Sequence, residues 1–364
     1  MKFRKLIYSA VAGVNIISAA VWVILTVAGN SIAESQSYNY GAERWDESGG
    51  STQISCFFTE DAGFTTDIAG GIRADMLSQL KNISIVPEEG KELIPEAYST
   101  PAGKMTIRCD TTGRSEAEVT AVGGDFFLFR GFTLLDGAYF SSDDIMQDGA
   151  VIDRGLAWAL YGSYNVAGMN IYINGTKFYI AGVIDNPQTK EEKQTAAEFP
   201  RAYISYDGIN LIQGTESAQE SGIMKKITVY ECIAPNPVEN FAYNAVSEYL
   251  KSSYDGKVSV VSNSERFQPS VRAKSFRKLS DYAVADKPVV YPYWENASRI
   301  AEFRLSGIYF YRRLTYVIPV LTILWLLFLL YRLIEKTRRM LTDKTADAVT
   351  KAIYRHNQKK YKEN

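Results

Sequence analysis

Residues 165–185, NVAGMNIYINGTKFYIAGVID, read as two strands about a glycine turn. Asn174-Gly175 is a strong hairpin signal, because both central residues of a type I′ turn take positive φ, and the flanks NIYI and TKFYI alternate as strands do. Gly168 admits the chain into the first strand, and Gly182 marks a bulge or a close backbone approach. Upstream, Asp153 to Tyr161 (DRGLAWALY) reads as a short helix. Gly123 to about Ile223 is therefore expected to form a compact β-rich insert.

Working outward, Thr52 to Thr59 (TQISCFFT) puts Ile54, Cys56 and Phe58 on one face of a strand, and Ile68, Ile72, Met76 and Leu80 form one helical stripe. Strand patterns follow at Met105 to Asp110 and Glu116 to Val122, giving a β-α-β-β start. A similar unit returns after the insert. Lys226 to Ile233 alternates, and Asn236-Pro237-Val238-Glu239 predicts a cap, a first-turn proline and an acidic N3 residue. Its helix presents Val238, Ala242, Val246 and Leu250, and Lys257 to Ser262 reads as another strand. Residues 187–198, rich in Lys, Glu, Gln and Thr, are expected to be a solvated loop. From about Asn296 a helix presents Ile300, Phe303, Ile308 and Tyr311, and if unbroken to Met340 it reaches ~68 Å.

Two runs are long enough to cross a bilayer core of ~30 Å: Leu6 to Ala28, without a charge, and Leu314 to Tyr331. Ser31-Ile32-Ala33 leaves signal-peptide cleavage as an alternative, but the apolar run is much longer than the ~7 to 15 residues usual there, which favours an uncleaved anchor. Basic residues precede the first run and follow the second at Arg332, Lys336, Arg338 and Arg339, so both termini are expected to be cytoplasmic and the middle extracytoplasmic. Arg312 and Arg313 weaken this signal without reversing it. Pro319 predicts a kink in the second span. Tyr309, Phe310, Tyr311 and Tyr316 suit an interfacial aromatic belt or a packed helix seam.

The formal charge of −1 hides an asymmetry: outside the cationic ends, 27 basic residues face 37 acidic ones. An acidic ectodomain between basic ends suits an anionic inner leaflet, making membrane lipid an expected partner, and argues against nucleic acid. His356 is the only histidine and falls in the tail, which excludes from the ectodomain a Ser-His-Asp triad, a Cys-His pair and a histidine-ligated zinc. There is no GxxxxGK[ST] or GxSxG motif. Asp143-Asp144 and Glu191-Glu192 read as solvated loop carboxylates. Asn82, Asn174 and Asn296 head N-x-[ST] triplets, a pattern frequent by chance. No catalytic residue, cofactor or metal ligand is assigned, although composition leaves a Ser-Lys dyad or a paired-carboxylate hydrolase open. Cys56, Cys109 and Cys232 allow at most one internal disulfide, and Cys56 and Cys232 read as small apolar strand residues.

VGGDFFLFRGFTLLDGAYF, then GAVIDRGLAWALYG, then VAGMNIYINGTKFYIAGVID resembles the extracytoplasmic core domain of MacB-like ABC transporter permeases, a group related to FtsX. The resemblance is carried by Asp125-Phe126-Phe127, Gly137, Phe140, Ala157, Leu160, Gly162, Gly168, Asn174-Gly175 and Gly182-Val183. It implies an α+β fold between two transmembrane helices. A porter-like subdomain is then built from 51–122 and 224–290, and a β-rich subdomain from 123–223. The remaining parts are a first span within 1–30, a linker at 31–50, a stalk helix at 291–313, a second span at 314–334 and a basic tail at 335–364.

The resemblance further implies a non-catalytic, permease-like or accessory subunit of an ABC-type assembly, as a homo- or heterodimer, with ATP hydrolysis in a partner. The relatives' plan has four spans where this chain shows two, which points to a reduced relative, an accessory subunit, or a half that pairs with a four-span permease. In the tail, Ala346, Val349 and Ile353 form an apolar stripe among Lys344, Lys351 and Arg355, read as docking an ABC ATPase or permease partner or as lying on anionic lipid. The competing readings are a stand-alone extracellular binding module that kept the fold without ATPase coupling, and an ectoenzyme.

Overall fold

A computed structural model describes residues 2–87, 89–90, 92–141, 144–186, 189–195, 199–212, 226–275, 289 and 291–360. Asp143 and the subdomain boundaries expected near 223 and 290 lie outside the described residues. The chain divides into two compact units, Asn30–Gly307 and a second made of Met1–Gly29 with Ile308–Asn364.

In the first unit the ten described strands form one sheet in the order β10-β1-β9-β2-β3-β8-β5-β7-β4, with β6 pairing β2 and β7. At one end lie β1 (Ser51–Phe58), β9 (Val229–Pro235), β10 (Val258–Ser262) and the first part of β2 (Glu96–Cys109), all antiparallel. The alternation seen in the sequence turns Ile54, Cys56 and Phe58 toward α3 (Thr66–Asn82) and α7 (Phe241–Tyr254). There they meet Ile72, Met76 and Leu80 of α3 and Ala242, Val246 and Leu250 of α7. Each large side chain so buried contributes about 1.5–3 kcal/mol relative to exposure. All three cysteines are free and buried, and burial pushes the thiols of Cys56 and Cys232 up, so both behave as small apolar residues.

The β-rich part is a closed ring, and it reaches beyond the expected bounds 123–223 by taking in β2 and the strand that follows it. β2 pairs β3 (Arg114–Gly124), β3 pairs β8 (Arg201–Ser205), and β8 pairs β5 (Gly149–Asp153). Next, β5 pairs β7 (Thr176–Ile184), β7 pairs β6 (Asn170–Ile173), and β6 returns to β2. Ile107, Val119, Ile152, Ile171, Phe178, Ile180 and Ile204 fill the interior with Leu156 and Leu160 of α5 (Arg154–Tyr161). A six-stranded barrel has room for side chains and little else. The hairpin of residues 165–185 is the stitch that closes it, with positive φ at both Asn174 (49°) and Gly175 (93°) as a type I′ turn requires.

Both readings of Gly182 hold together. The β5–β7 register shifts beside it, and a Cβ there would lie 2.4 Å from the Ala138 carbonyl oxygen. β4 (Leu134–Gly137) covers the edge of β7.

Four expectations are corrected. β2 starts at Glu96 rather than near Met105, because a bulge between Pro101 and Gly103 (φ 90°) breaks the alternation that would have revealed its first part. α7 starts at Phe241 after Asn240 (φ 63°), and Val238 is exposed. The cause is that the Asn236 amide still bonds the Gly50 carbonyl beside β1, although the Asn236 side chain does accept from the Ala242 amide.

Within 187–198, Lys190–Thr195 forms a short helix, α6, which buries Glu191 and Glu192; residues 187–188 and 196–198 lie outside the described residues. Finally, the C-terminal helix is two helices, α9 (Tyr293–Leu314) and α10 (Val317–Lys360), and the buried positions of α9 include Trp294, Ala297, Ala301 and Leu305 while Phe303 and Tyr311 are exposed. A stripe of small residues marks the packed side, which a search for large apolar side chains overlooks.

In the second unit α1 (Lys2–Glu34) and α10 are long and apolar enough to cross a membrane. They pack antiparallel. The Trp22 indole donates to the Tyr316 hydroxyl (2.8 Å), Asn15 donates to Thr322 Oγ1 (2.9 Å), and Tyr8 meets Trp325 with ring centroids 5.8 Å apart. Pro319 has no N–H for the Thr315 carbonyl, and the helix is interrupted at 315–316. The Ser18 hydroxyl donates to that same carbonyl at 2.7 Å, so the neighbouring span supplies what the proline removes. Tyr309 lies against Gly29, and with the Trp22–Tyr316 contact this favours the packed seam for those two tyrosines.

Candidate functional site

The residues that carried the resemblance hold turns and caps. Asp125 stands at the N-cap of α4 (Phe126–Arg130), where Phe126 is buried and Phe127 stacks on Tyr139 (4.4 Å) and meets Phe140 edge-on (5.2 Å). Gly137 and Gly182 face each other in register across β4 and β7. Gly162 ends α5 in the left-handed conformation, and Gly168 (φ 81°) leads into β6. Asn174 Oδ1 accepts from the Thr106 amide, which pins the hairpin turn to β2. The structure thus brings Phe126, Phe127 and Phe140 into one aromatic cluster and Gly137 to Gly182, while the others serve separate turns. Ala346, Val349 and Ile353 lie on α10 in the other unit, all exposed.

A different set of residues converges on α9, and the sequence reading missed it. Odd positions of β1 and β9 face away from α3 and α7, and there Glu231 accepts from Ser55 (2.7 Å) and Gln53 (3.2 Å) and pairs with Arg130. The Arg130 guanidinium, fully buried, lies over the rings of Trp294 (4.3 Å) and Phe126 (4.8 Å). Cation–π contact on two sides and one carboxylate partly offset the cost of burying this charge, and burial still lowers the guanidinium pKa to about 9.

One step along, Arg266 forms a two-pronged pair with Glu295 (2.8 and 2.9 Å), donates Nε to Glu302 (2.6 Å), and reaches Asn39 Oδ1 (2.9 Å). Arg272 bonds the other oxygen of Glu302 (2.9 Å), and Arg299 shares Glu295 (2.8 Å). The two carboxylates hold the Arg266 guanidinium charged, its pKa pushed up in spite of burial. Asn39 also donates to Ser298 of α9, so the segment after α1 is tied into the same network.

On the opposite flank α6 docks on α9: Glu191 pairs with Arg304, and Thr195 Oγ1 donates to the Tyr293 carbonyl (3.0 Å). Thr189 and Glu192 form a reciprocal capping box at its start (2.8 and 3.1 Å). That Thr-x-x-Glu signature was present in the sequence and is the signal that would have found this helix. Nearby, the Arg201 amide donates to Asp153 (2.9 Å) and its guanidinium lies 3.9 Å over Tyr293, whose hydroxyl is 3.1 Å from that of Tyr203. A cavity of about 220 Å³ opens among Tyr38, Asp153, Glu192, Arg201, Tyr203 and Tyr293. Burial raises the Tyr38 and Tyr203 hydroxyls and the Asp153 carboxyl above their ordinary values, the last against the backbone N–H groups of Leu156, Arg201 and Gly155 and the charge of Arg201.

Among the described residues no group of three or more His, Cys, Asp or Glu side chains is placed to hold a metal ion. What the cluster does is fasten: Arg266, in the turn after β10, and Arg272, in the short helix Pro269–Ser275, grip Glu295 and Glu302 of α9, and removing one member of such a buried pair costs about 3–5 kcal/mol.

The profile of the MacB-like periplasmic core domain family matches residues 11–230. No curated protein matches the sequence. Among solved structures, the extracellular domain of the noncanonic ABC-type transporter YknZ from Gram-positive bacteria is similar at 12% identity and a TM-score of 0.39, over 57% of this chain and 99% of that one. The periplasmic region of MacB from Actinobacillus actinomycetemcomitans is similar at 16% identity and 0.39, over 64% and 94%. A domain of a putative permease from Porphyromonas gingivalis gives 13% and 0.34, over 58% and 89%. With more than half of its length matched by the profile, and with an α+β domain lying in sequence between two candidate membrane helices, the chain belongs to the MacB-like periplasmic core domain family.

Proposed function

We propose that this protein is a membrane-anchored, non-catalytic subunit of an ABC-type transport assembly, in which a cytoplasmic ATPase partner supplies the energy and the extracytoplasmic domain is moved as one body. The observation that carries this reading is the buried Arg266–Glu295–Glu302 network, which binds α9 to the turn that follows β10 so that a displacement of α9 is passed on. Membership of the MacB-like periplasmic core domain family supports it. In this reading α1 is an uncleaved anchor, in keeping with its polar contacts to α10, and both termini are cytoplasmic, in keeping with the basic flanks. The porter-like halves 51–122 and 224–290 frame the β-rich part 123–223, and the exposed stripe Ala346, Val349 and Ile353 on α10 docks the ATPase or a four-span permease.

Purification in mild detergent with mass spectrometry tests the assignment: an ABC ATPase or a four-span permease should co-purify and be lost when 341–364 are deleted. Unchanged recovery after the deletion overturns the docking role, and absence of any such partner overturns the assembly. A thiol label that does not cross membranes should reach Lys190→Cys but not Thr350→Cys in intact cells. Labelling of both overturns the topology. A second reading, a stand-alone binding module, is favoured by the 220 Å³ cavity beside Tyr293 at the start of α9. Saturable binding of a small molecule, without an ATPase partner, would establish it instead.

A further inference from the structure

At one end of the membrane unit, a groove of about 1020 Å³ runs between the start of α1 and α10. Its walls change character along α10. Leu326, Leu329, Leu330 and Leu333 recur at helical spacing and form an apolar stripe, with Ile7 of α1 opposite. The stripe is closed at one end by the Tyr8–Trp325 ring pair. In the other direction the lining becomes net basic, with Arg332, Lys336 and Arg339 at spacings that keep them on one side of the helix and Glu335 as the one carboxylate among them.

Arg339 is paired with Glu335, and the Arg332 guanidinium lies over the Phe328 ring at 5.4 Å. Because α1 and α10 are antiparallel with Tyr8 beside Trp325, Lys5, about one turn before Tyr8, contributes its charge at this same end. Basic residues of two helices, more than three hundred residues apart in sequence, thus stand at the same end of one apolar slot.

An aliphatic slot that ends in several cations matches one ligand chemistry, a chain of methylenes joined to a phosphate. We propose that this groove is a binding site for an anionic phospholipid, its acyl chain against the leucine stripe and its headgroup phosphate between Arg332 and Lys336. A zwitterionic lipid presents the same chain and the same phosphate together with a cation of its own, so the basic rim selects against it. Lipid packed loosely around a span gains nothing from those side chains, whereas a groove-bound lipid gains from both its ends.

The test uses the full chain, purified in mild detergent, stripped of lipid, and given equimolar phosphatidylglycerol and phosphatidylcholine, with retained lipid read by native mass spectrometry. The expected result is one retained phosphatidylglycerol at a preference of roughly 30- to 150-fold, the change expected from two or three cations beside one phosphate. Arg332→Gln with Lys336→Gln should bring the ratio near unity, and Arg332→Lys with Lys336→Arg should keep it. Lys344→Gln with Lys351→Gln, an equal charge loss further along α10, should leave it unchanged. Leu329→Trp, which fills the slot without altering charge, should abolish retention of both lipids while helix content by circular dichroism stays the same. Equal retention of the two lipids, an equal effect of the Lys344/Lys351 pair, or displacement by inorganic phosphate would each overturn the proposal.

Discussion

Charge burial is graded residue by residue, and the gradation predicts which substitutions matter. Glu295 lies within a network from which water is excluded, so Glu295→Ala leaves Arg266 and Arg272 to share the single carboxylate of Glu302, a buried excess of positive charge. It should lower stability by about 3–5 kcal/mol. Lys104 and Glu116 are just as close at 2.7 Å, yet both are about half exposed, and Lys104→Ala should cost less than about 1 kcal/mol. Thermal unfolding of the full chain in nanodiscs, followed by tryptophan fluorescence, separates the two.

Glycines divide in the same way. Gly162 takes φ 66° in open space, so Gly162→Ala should cost only the left-handed backbone penalty of about 1–2 kcal/mol. Gly137 takes φ 72° and a Cβ there would sit 2.2 Å from the Ala181 carbonyl oxygen, so Gly137→Ala should cost clearly more in the same assay.

Among the elements, legibility followed the regularity of the pattern. The hairpin, α3, α5 and β1 were plain because period and turn chemistry agree in them: Asn174-Gly175 allows one turn type, and Asp153 caps α5 as its side chain accepts from the Leu156 amide. β2 was half hidden by its bulge, and α6 was hidden because its burial is of carboxylates, which composition alone assigns to solvent. The buried joint was not legible at all, since Arg130, Arg266 and Glu231 become informative only once the fold brings α4, α9 and the sheet together. The break before α10 was foreseen from Pro319, but its compensation by Ser18 was not.

That compensation makes a double-mutant prediction. Ser18→Ala strands the Thr315 carbonyl and should destabilise the helix pair by about 0.5–2 kcal/mol, the range for hydrogen bonds between spans. In a Pro319→Ala background the restored amide can serve that carbonyl, so Ser18→Ala should then cost much less. Equal costs in both backgrounds, measured by thermal unfolding in nanodiscs, would remove this account of the proline.

At the scale of the whole molecule, the closed ring of the insert and the open sheet of the porter-like part share β2, so neither half can shift without bending a strand that both need. All three apolar cores and the Arg266 network lie within Asn30–Gly307, and none draws on the membrane helices. A fragment of residues 30–307 should therefore be soluble and unfold in one cooperative transition. A fragment ending at residue 292 keeps every described strand but loses Trp294, Glu295 and Glu302. That exposes one face of Arg130 and strips Arg266 of both carboxylates, losses worth about 2 and about 3–5 kcal/mol against a total stability of about 5–15, besides the apolar contacts of α9. It should therefore show no cooperative transition by calorimetry. If the shorter fragment instead unfolds as sharply as the longer one, α9 is merely laid on the sheet, and a domain held so loosely could not be driven through it.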